Sequence, residues 1–292
     1  MSAIDSSSTN VSSIDILSQY GKTFHWASYV LDKTTRLAAA KLYSICRKLD
    51  DIADEIENTD DKAVLDVIQS ALINYKTDQH ALADEILELS AKWDLPLIAF
   101  IDLLNGLKSD LSHVPLDKES SLELYCYQVA GTVGLLMCPL LKVKDSRAFE
   151  HAKQLGIAMQ ITNIVRDVYE DALMGRRYLP YGISVDDLVD PSEEQMQEIH
   201  YLRLRYIEHA DELYAYALDG LAYMGIRNAF TIYLAAINYR AIGHKISKST
   251  LNHYKKRASL SSFEKLTNSI LHIPLFFLLQ IKFKIKSWFA NG

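Results

Sequence analysis

Arg47-Lys48-Leu49-Asp50-Asp51-Ile52-Ala53-Asp54-Glu55 is the stretch from which this chain is best read, and Asn163-Ile164-Val165-Arg166-Asp167-Val168-Tyr169-Glu170-Asp171 repeats its pattern. Each contains two aspartates four residues apart, a spacing that on a helix sets both carboxylates on one face, one turn apart. Like charges so placed repel. A lone pair would ordinarily be a solvated polar face, but a chain that builds the pattern twice within apolar helical sequence is expected to hold a cation there. Hard oxygen ligands suit Mg²⁺, which keeps several waters and bridges one or two carboxylates to substrate phosphates.

The flanking residues extend both pairs into stripes. Tyr43, Arg47, Asp50 or Asp51, and Asp54 share one face of the first helix, and Gln160, Asn163, Asp167 and Asp171 share one face of the second. Both stripes lie among Leu, Ile, Val, Ala and Met, where a solvated face would carry scattered Lys and Glu. Facing each other, they would form a polar wall inside a helical protein. If Mg²⁺ bridges the aspartates to phosphate, basic side chains should meet the remaining oxygens; the candidates are Lys22, Arg47, Arg166, Arg176, Lys256 and Arg257. Arg47 also stands three residues before Asp50, a spacing that gives an ion pair worth about 0.2–0.5 kcal/mol.

The 292 residues, 49% of them hydrophobic, suffice for a sizeable core, and the net charge of -6 argues against broad nucleic-acid binding. Cys46, Cys126 and Cys138 lie in apolar helical surroundings with no CxxC and read as reduced packing residues of a cytosolic protein. The Ser-rich start, residues 1–13, lacks a basic region followed by an apolar core and reads as a flexible leader, not a secretory signal.

Only 11 Gly and 6 Pro punctuate the chain, and apolar residues recur mostly at helical spacing, so the fold is predicted to be all-α. Helices are expected over 14–29, 33–55, from an Asn58–Asp61 turn towards Tyr75, 81–93, 96–111, 121–141, 146–173, 192–220 and 228–245, with a loop over 178–190. No composition shift divides residues 14–268, which read as one domain. Gly131-Thr132-Val133-Gly134 lacks the Lys and strand of a phosphate loop. It reads as close helix packing, or as a helix irregularity that makes room for a long apolar ligand. In the segment 269–292, the apolar run Ile270–Ile281 is shorter than the about 20 residues of a spanning helix. Lys282, Lys284, Lys286 and Trp288 follow it, which fits either shallow attachment to a membrane surface or a core-packing last helix with a basic end.

Several segments together resemble the squalene/phytoene synthase family of head-to-head prenyl synthases, over about Tyr20 to Leu266. They are Lys22–Ser28, Leu42–Glu55, Tyr125–Gly134, and above all Gly156-Ile-Ala-Met-Gln-Ile-Thr-Asn-Ile-Val-Arg-Asp-Val-Tyr-Glu-Asp171 followed by Gly175-Arg-Arg-Tyr-Leu-Pro180. The likeness is greatest to the bacterial phytoene-forming members. It implies a single-domain isoprenoid synthase type helical fold with a central cavity, lined by the aspartate-bearing helices. It also implies Mg²⁺-dependent (or Mn²⁺-dependent) 1-1′ condensation of two geranylgeranyl diphosphates, through prephytoene diphosphate, to phytoene in carotenoid biosynthesis. No nicotinamide cofactor is expected in this branch, and no GxGxxG is present.

Carried over residue by residue, the resemblance makes Asp50, Asp54, Asp167 and Asp171 metal-diphosphate ligands, with Asn163 and Gln160 beside the second pair. Arg47, Lys22, Arg166, Arg257 and Lys256 become diphosphate contacts, and Phe24, Tyr43, Tyr127 and Tyr239 cavity aromatics. Many relatives have Ser on both sides of the lysine where this chain has Gly21 and Thr23, so Gly21 offers phosphate no side-chain donor. The rival expectations are condensation of two farnesyl diphosphates to presqualene diphosphate, squalene or dehydrosqualene, and a non-catalytic assembly factor of the same fold, whose signature would be loss of the aspartates. The expected location is the cytoplasm, peripheral at the inner face of the cytoplasmic membrane.

Overall fold

Between Gly156 and Val165 the sequence is apolar or small almost all round, which is the signature of a helix enclosed on every side. In the computed structural model this stretch belongs to the central helix, and Gly156, Ile157, Ala158, Met159, Ile161, Thr162, Ile164 and Val165 are all buried. The structure describes residues 6–54, 60–111, 115–180, 182–251 and 254–290, and the side chains of these except 6–12, 54, 60, 61, 287 and 290. The described residues contain helices and turns and no strand.

In chain order the helices are α1 (Ser6–Tyr20), α2 (Lys22–Ser28), α3 (Lys33–Asp54), α4 (Asp60–Asn74), α5 (Ala81–Trp93), α6 (Leu97–Asp110), α7 (Glu119–Cys126), α8 (Thr132–Leu140), α9 (Arg147–Arg166), α10 (Val168–Leu173), α11 (Val185–Val189), α12 (Glu193–Leu218), α13 (Ile226–Ser247) and α14 (Ser262–Ala290). A π-helical turn, Tyr127–Gly131, joins α7 to α8, and a 3-10 turn, Asp219–Tyr223, follows α12. Among the described residues two large apolar cores and a smaller cluster around Leu31, Cys138 and Leu141 result. One gathers α9, α12 and α13 around Ile161, Tyr206 and Leu234; the other packs α3, α4, α5 and α6 around Leu49, Ile68, Ile86 and Leu104. The aspartate-bearing helices α3 and α9 thus come from the two cores, with a cavity between them.

The element boundaries differ from expectation at informative places. The predicted helix 14–29 breaks at Gly21, whose missing Cβ would stand 2.9 Å from both Leu17 Cδ1 and the Tyr43 ring, so the glycine serves packing. The predicted helix 121–141 begins at Glu119 and carries the π turn. The predicted helix 146–173 divides at Asp167 (φ -104°, ψ 15°), although Asp167 N–H still reaches Asn163 O (2.9 Å) and Asp171 N–H reaches Asp167 O (2.8 Å). The two aspartates therefore remain one turn apart. Within the expected loop 178–190 lies α11, opened by Ser184 Oγ accepting from Asp187 N–H at 3.1 Å, a cap of the kind that stabilises helix starts.

The apolar run 270–281 belongs to the 29-residue α14, which continues through Pro274 and across the 268/269 boundary. Over Ser262–Lys286 it is long and apolar enough to cross a membrane by length and composition, beyond what the run alone would allow. One face of α14 packs on α13. Phe276 is 1% exposed against Phe230 and Tyr233, and Asn238 Nδ2 donates to Ser269 Oγ at 3.1 Å. The opposite face leaves Ile270, Leu271, Phe277, Leu278, Ile281 and Trp288 exposed.

Candidate active site

Helix α3 is amphipathic. Leu42, Ile45, Leu49 and Ala53 bury one face in the core, while the other turns Tyr43, Arg47 and Asp50 towards the cavity. Arg47 donates through Nη1 to Asp50 Oδ2 (3.0 Å), pairs through Nη2 with Asp51 Oδ1 (2.5 Å), and lies 4.9 Å above the Tyr20 ring. The Asp54 side chain, the other half of the first pair, lies outside the described residues.

Facing it, α9 presents Gln160 and Asn163. Asn163 Nδ2 donates to Gln160 Oε1 at 3.2 Å, while Asn163 Oδ1 is buried without a hydrogen-bond partner. One turn later Asp167 is clamped by two arginines. Arg166 reaches it through Nε (2.7 Å) and Nη2 (2.5 Å), and Arg257 through Nε (2.8 Å) and Nη2 (3.2 Å). Burial works to raise the Asp167 pKa, but the two guanidiniums outweigh it and hold the carboxyl below its ordinary value. Asp171 shows the reverse: burial, then the neighbouring Asp167 charge, push it up to about 8. The second pair thus joins a committed anion to a carboxyl that a nearby cation would help to ionise.

A further carboxylate stands between the stripes. Asp110, at the end of α6, accepts from Tyr125 Oη (3.0 Å) and Tyr178 Oη (2.8 Å), whose rings stack at 4.9 Å. It lines a cavity of about 220 Å³ together with Arg47, Asp50 and Gln160, and its charge also raises the Asp171 pKa. Neither Asp110 nor Tyr125 belongs to a repeated spacing, so periodicity does not single them out. Tyr127, the expected cavity aromatic, donates to Asp102 at 2.6 Å and lines neither cavity.

The larger cavity, about 350 Å³, adjoins the smaller one at Tyr43, Cys46, Val129 and Gln160 and is walled mainly by apolar side chains. Phe24 and Tyr239 meet across it at a ring separation of 5.4 Å. Gly131–Gly134 shows both close helix packing and an adjoining helix irregularity. A Cβ on Gly134 would stand 2.1 Å from the Ala152 carbonyl oxygen, so α8 and α9 touch backbone to backbone, and the π turn just before it lends Val129 and Ala130 to the cavity wall.

The remaining basic candidates divide. Arg176 is buried and its charge lowers the Asp171 pKa, against the burial that raises it. Lys22 is exposed at the start of α2, close enough to the buried Lys265 of α14 for its charge to lower the Lys265 pKa, after burial itself. Lys265 was not foreseen, since it lies in sequence read as the end of the domain. Lys256 is exposed and lines neither cavity.

Among the described residues no three His, Cys, Asp or Glu side chains converge into a ready-made metal cage. The donor set nevertheless fits a hard cation. It is all oxygen, it includes the unpartnered Asn163 Oδ1, and Mg²⁺ ordinarily draws the rest of its shell from water and substrate phosphate.

Known proteins resemble this chain over most of its length. The family model described as squalene/phytoene synthase matches residues 17–264. A 15-cis-phytoene synthase of Enterobacter agglomerans is 34% identical over 263 residues, spanning 84% of this chain and 88% of the relative. A phytoene synthase of Thermus thermophilus is 33% identical over 262 residues, spanning 86% and 87%. Among solved structures, a dehydrosqualene synthase in complex with ligand superposes with a TM-score of 0.74 over 98% of each chain at 24% identity, a likeness of fold.

Proposed function

Because the chain belongs to the squalene/phytoene synthase family and is a head-to-head prenyltransferase, we propose that it condenses two geranylgeranyl diphosphates 1-1′ to phytoene. The observation that carries this reading is an acidic, arginine-clamped cluster beside an apolar cavity, in a chain with phytoene synthases among its relatives at 33–34% identity.

In the first half-reaction the C1–O bond of one substrate breaks and diphosphate leaves with the electron pair. The 2,3 double bond of the second substrate attacks the allylic cation, and loss of one proton closes the cyclopropane of prephytoene diphosphate. The second diphosphate then departs, the skeleton rearranges, and loss of another proton gives the hydrocarbon. No hydride is transferred.

Arg47, Arg166, Arg257 and Lys22, with Lys265 beside the last, are the groups we assign to diphosphate oxygens; guanidinium groups bind phosphate oxygens in a two-pronged geometry. Asp50, Asp54, Asn163, Asp167 and Asp171 are the residues we assign to Mg²⁺ or Mn²⁺, which when bound would neutralise charge on the leaving diphosphate. Phe24, Tyr43 and Tyr239 offer ring faces to passing cations, each worth about 2 kcal/mol when desolvated, and the apolar wall excludes water that would quench them. The outer face of α14, with Lys282, Lys284 and Lys286 at its end, suits peripheral attachment to an anionic lipid surface at the inner face of the cytoplasmic membrane, where a C40 hydrocarbon would be received.

Purified protein with geranylgeranyl diphosphate and Mg²⁺ is expected to release a C40 hydrocarbon, and the absence of product at every Mg²⁺ concentration overturns the proposal. Competition between C15 and C20 diphosphates separates this reading from the farnesyl one. Cosedimentation with anionic but not neutral vesicles tests the membrane assignment.

A further inference from the structure

One face of α9 lines the larger cavity along its length, from Asn163 and Gln160 beside the carboxylates, through Met159, Leu155 and Ala152, to His151. His151 lies twelve residues before Asn163, about 18 Å of helix rise at 1.5 Å per residue. The helix face therefore runs from polar at the carboxylate end to apolar, and His151 is the last bulky side chain it gives the cavity, with Ala148 the one lining residue of α9 beyond it.

His151 is fixed in place from three sides. Its Nδ1–H donates to the Tyr216 carbonyl oxygen at 2.9 Å, and its ring lies 4.4 Å from the Tyr216 ring and 6.0 Å from the Tyr223 ring. Behind it stands Gly220, where a Cβ would fall 2.4 Å from His151 Cβ and 3.0 Å from Cγ. Because His151 Cβ is fixed by its own backbone, only a residue without a side chain at position 220 lets the 3-10 turn close this tightly on α9 behind the imidazole. Nothing in the chemistry of the carboxylate end calls for an imidazole here, or for a glycine behind it.

Resting on the prenyl-transfer reading of the cavity, we propose that His151, seated on Gly220, is the end stop that sets the length of prenyl chain accepted. The stop acts by bulk: an isoprene unit too many would meet a ring that cannot retreat, whereas a shorter chain leaves the end of the cavity unfilled. Even one methylene misfitted in an apolar pocket changes selectivity by about tenfold or more.

His151→Ala and His151→Ser remove the stop, whereas His151→Tyr and His151→Trp move bulk into the cavity, so one folded variant in each direction suffices. Relative use of C15, C20 and C25 prenyl diphosphates is measured in competition, alongside binding of their non-reacting thiolodiphosphate analogues by calorimetry. The C25:C20 ratio is expected to rise at least about tenfold when bulk is removed, and the C15:C20 ratio to rise similarly when bulk is added. Wild-type ratios in folded variants of both kinds overturn the end stop. Failure of the prenyl-transfer reading looks different: the unmodified protein would neither turn over nor bind any of the three chains.

Discussion

Arg257 and Asp167, 90 residues apart, meet in a two-pronged ion pair, Nε to Oδ1 at 2.8 Å and Nη2 to Oδ2 at 3.2 Å, on the carboxylate that Arg166 also holds. The pair ties the segment before α14 to the end of α9. Incoming phosphate would compete with Asp167 for Arg257, while a divalent cation would compete with Arg257 for Asp167, so ligand and metal would enter by exchanging partners already in place.

Asp167→Asn should therefore lower turnover by at least about 10²-fold, the scale of removing one preorganised electrostatic group from an active site. Far-ultraviolet circular dichroism should be unchanged. A variant of near-normal activity would remove Asp167 from the ligand set. Arg257→Ala should raise KM for prenyl diphosphate while costing less than about 1 kcal/mol of stability, because the arginine is largely exposed.

Gly134→Ala places a methyl group against a backbone carbonyl that can yield only if α8 and α9 move apart. The expected loss is about 1–3 kcal/mol, or several degrees in Tm at about 2–4 °C per kcal/mol. A melting temperature equal to that of the unmodified protein would show that the two helices separate freely.

Two adjacent residues of α14 should behave oppositely. Phe276→Ala empties a fully packed site between Phe230 and Tyr233 and should cost about 3–5 kcal/mol in chemical unfolding. Phe277→Ala, on the exposed face, should stay within about 0.5 kcal/mol yet weaken binding to anionic vesicles. Equal vesicle binding would leave the outer face of α14 without a lipid partner.

Glu85 of α5 is held by Lys41 and by Lys48 (2.9 Å) of α3. Burial raises its pKa, but the two lysines outweigh this and leave the folded-state value below the ordinary one of 4.5. A depressed carboxyl pKa stabilises the fold above the unfolded value, and that contribution fades as pH falls through the folded value. Glu85→Gln should thus be less stable than the unmodified protein at neutral pH, with the gap closing on acidification below 4.5. Urea unfolding at stepped pH checks this, and a gap that widens in acid contradicts it.

Periodicity in the amino-acid sequence alone determined the all-α class, the boundaries of α5 and most of α3, and the shared faces of Tyr43, Arg47 and Asp50 on α3 and of Gln160 and Asn163 on α9, because helix faces follow from spacing between near neighbours. It could not foresee that α9 would distort at Asp167, that Tyr125 rather than Tyr127 would line the smaller cavity, or that Asp110, Lys265 and His151 would stand where they do. Those outcomes depend on contacts between residues far apart in the chain: Asp110 with Tyr178, Arg257 with Asp167, Gly220 with His151. Local spacing settles which side of a helix a residue occupies. What lies opposite that side is decided by how the helices pack, and here the packing of α3, α6 and α9 brings Arg47, Asp50, Asp110 and Gln160, scattered along the chain, to the wall of one cavity.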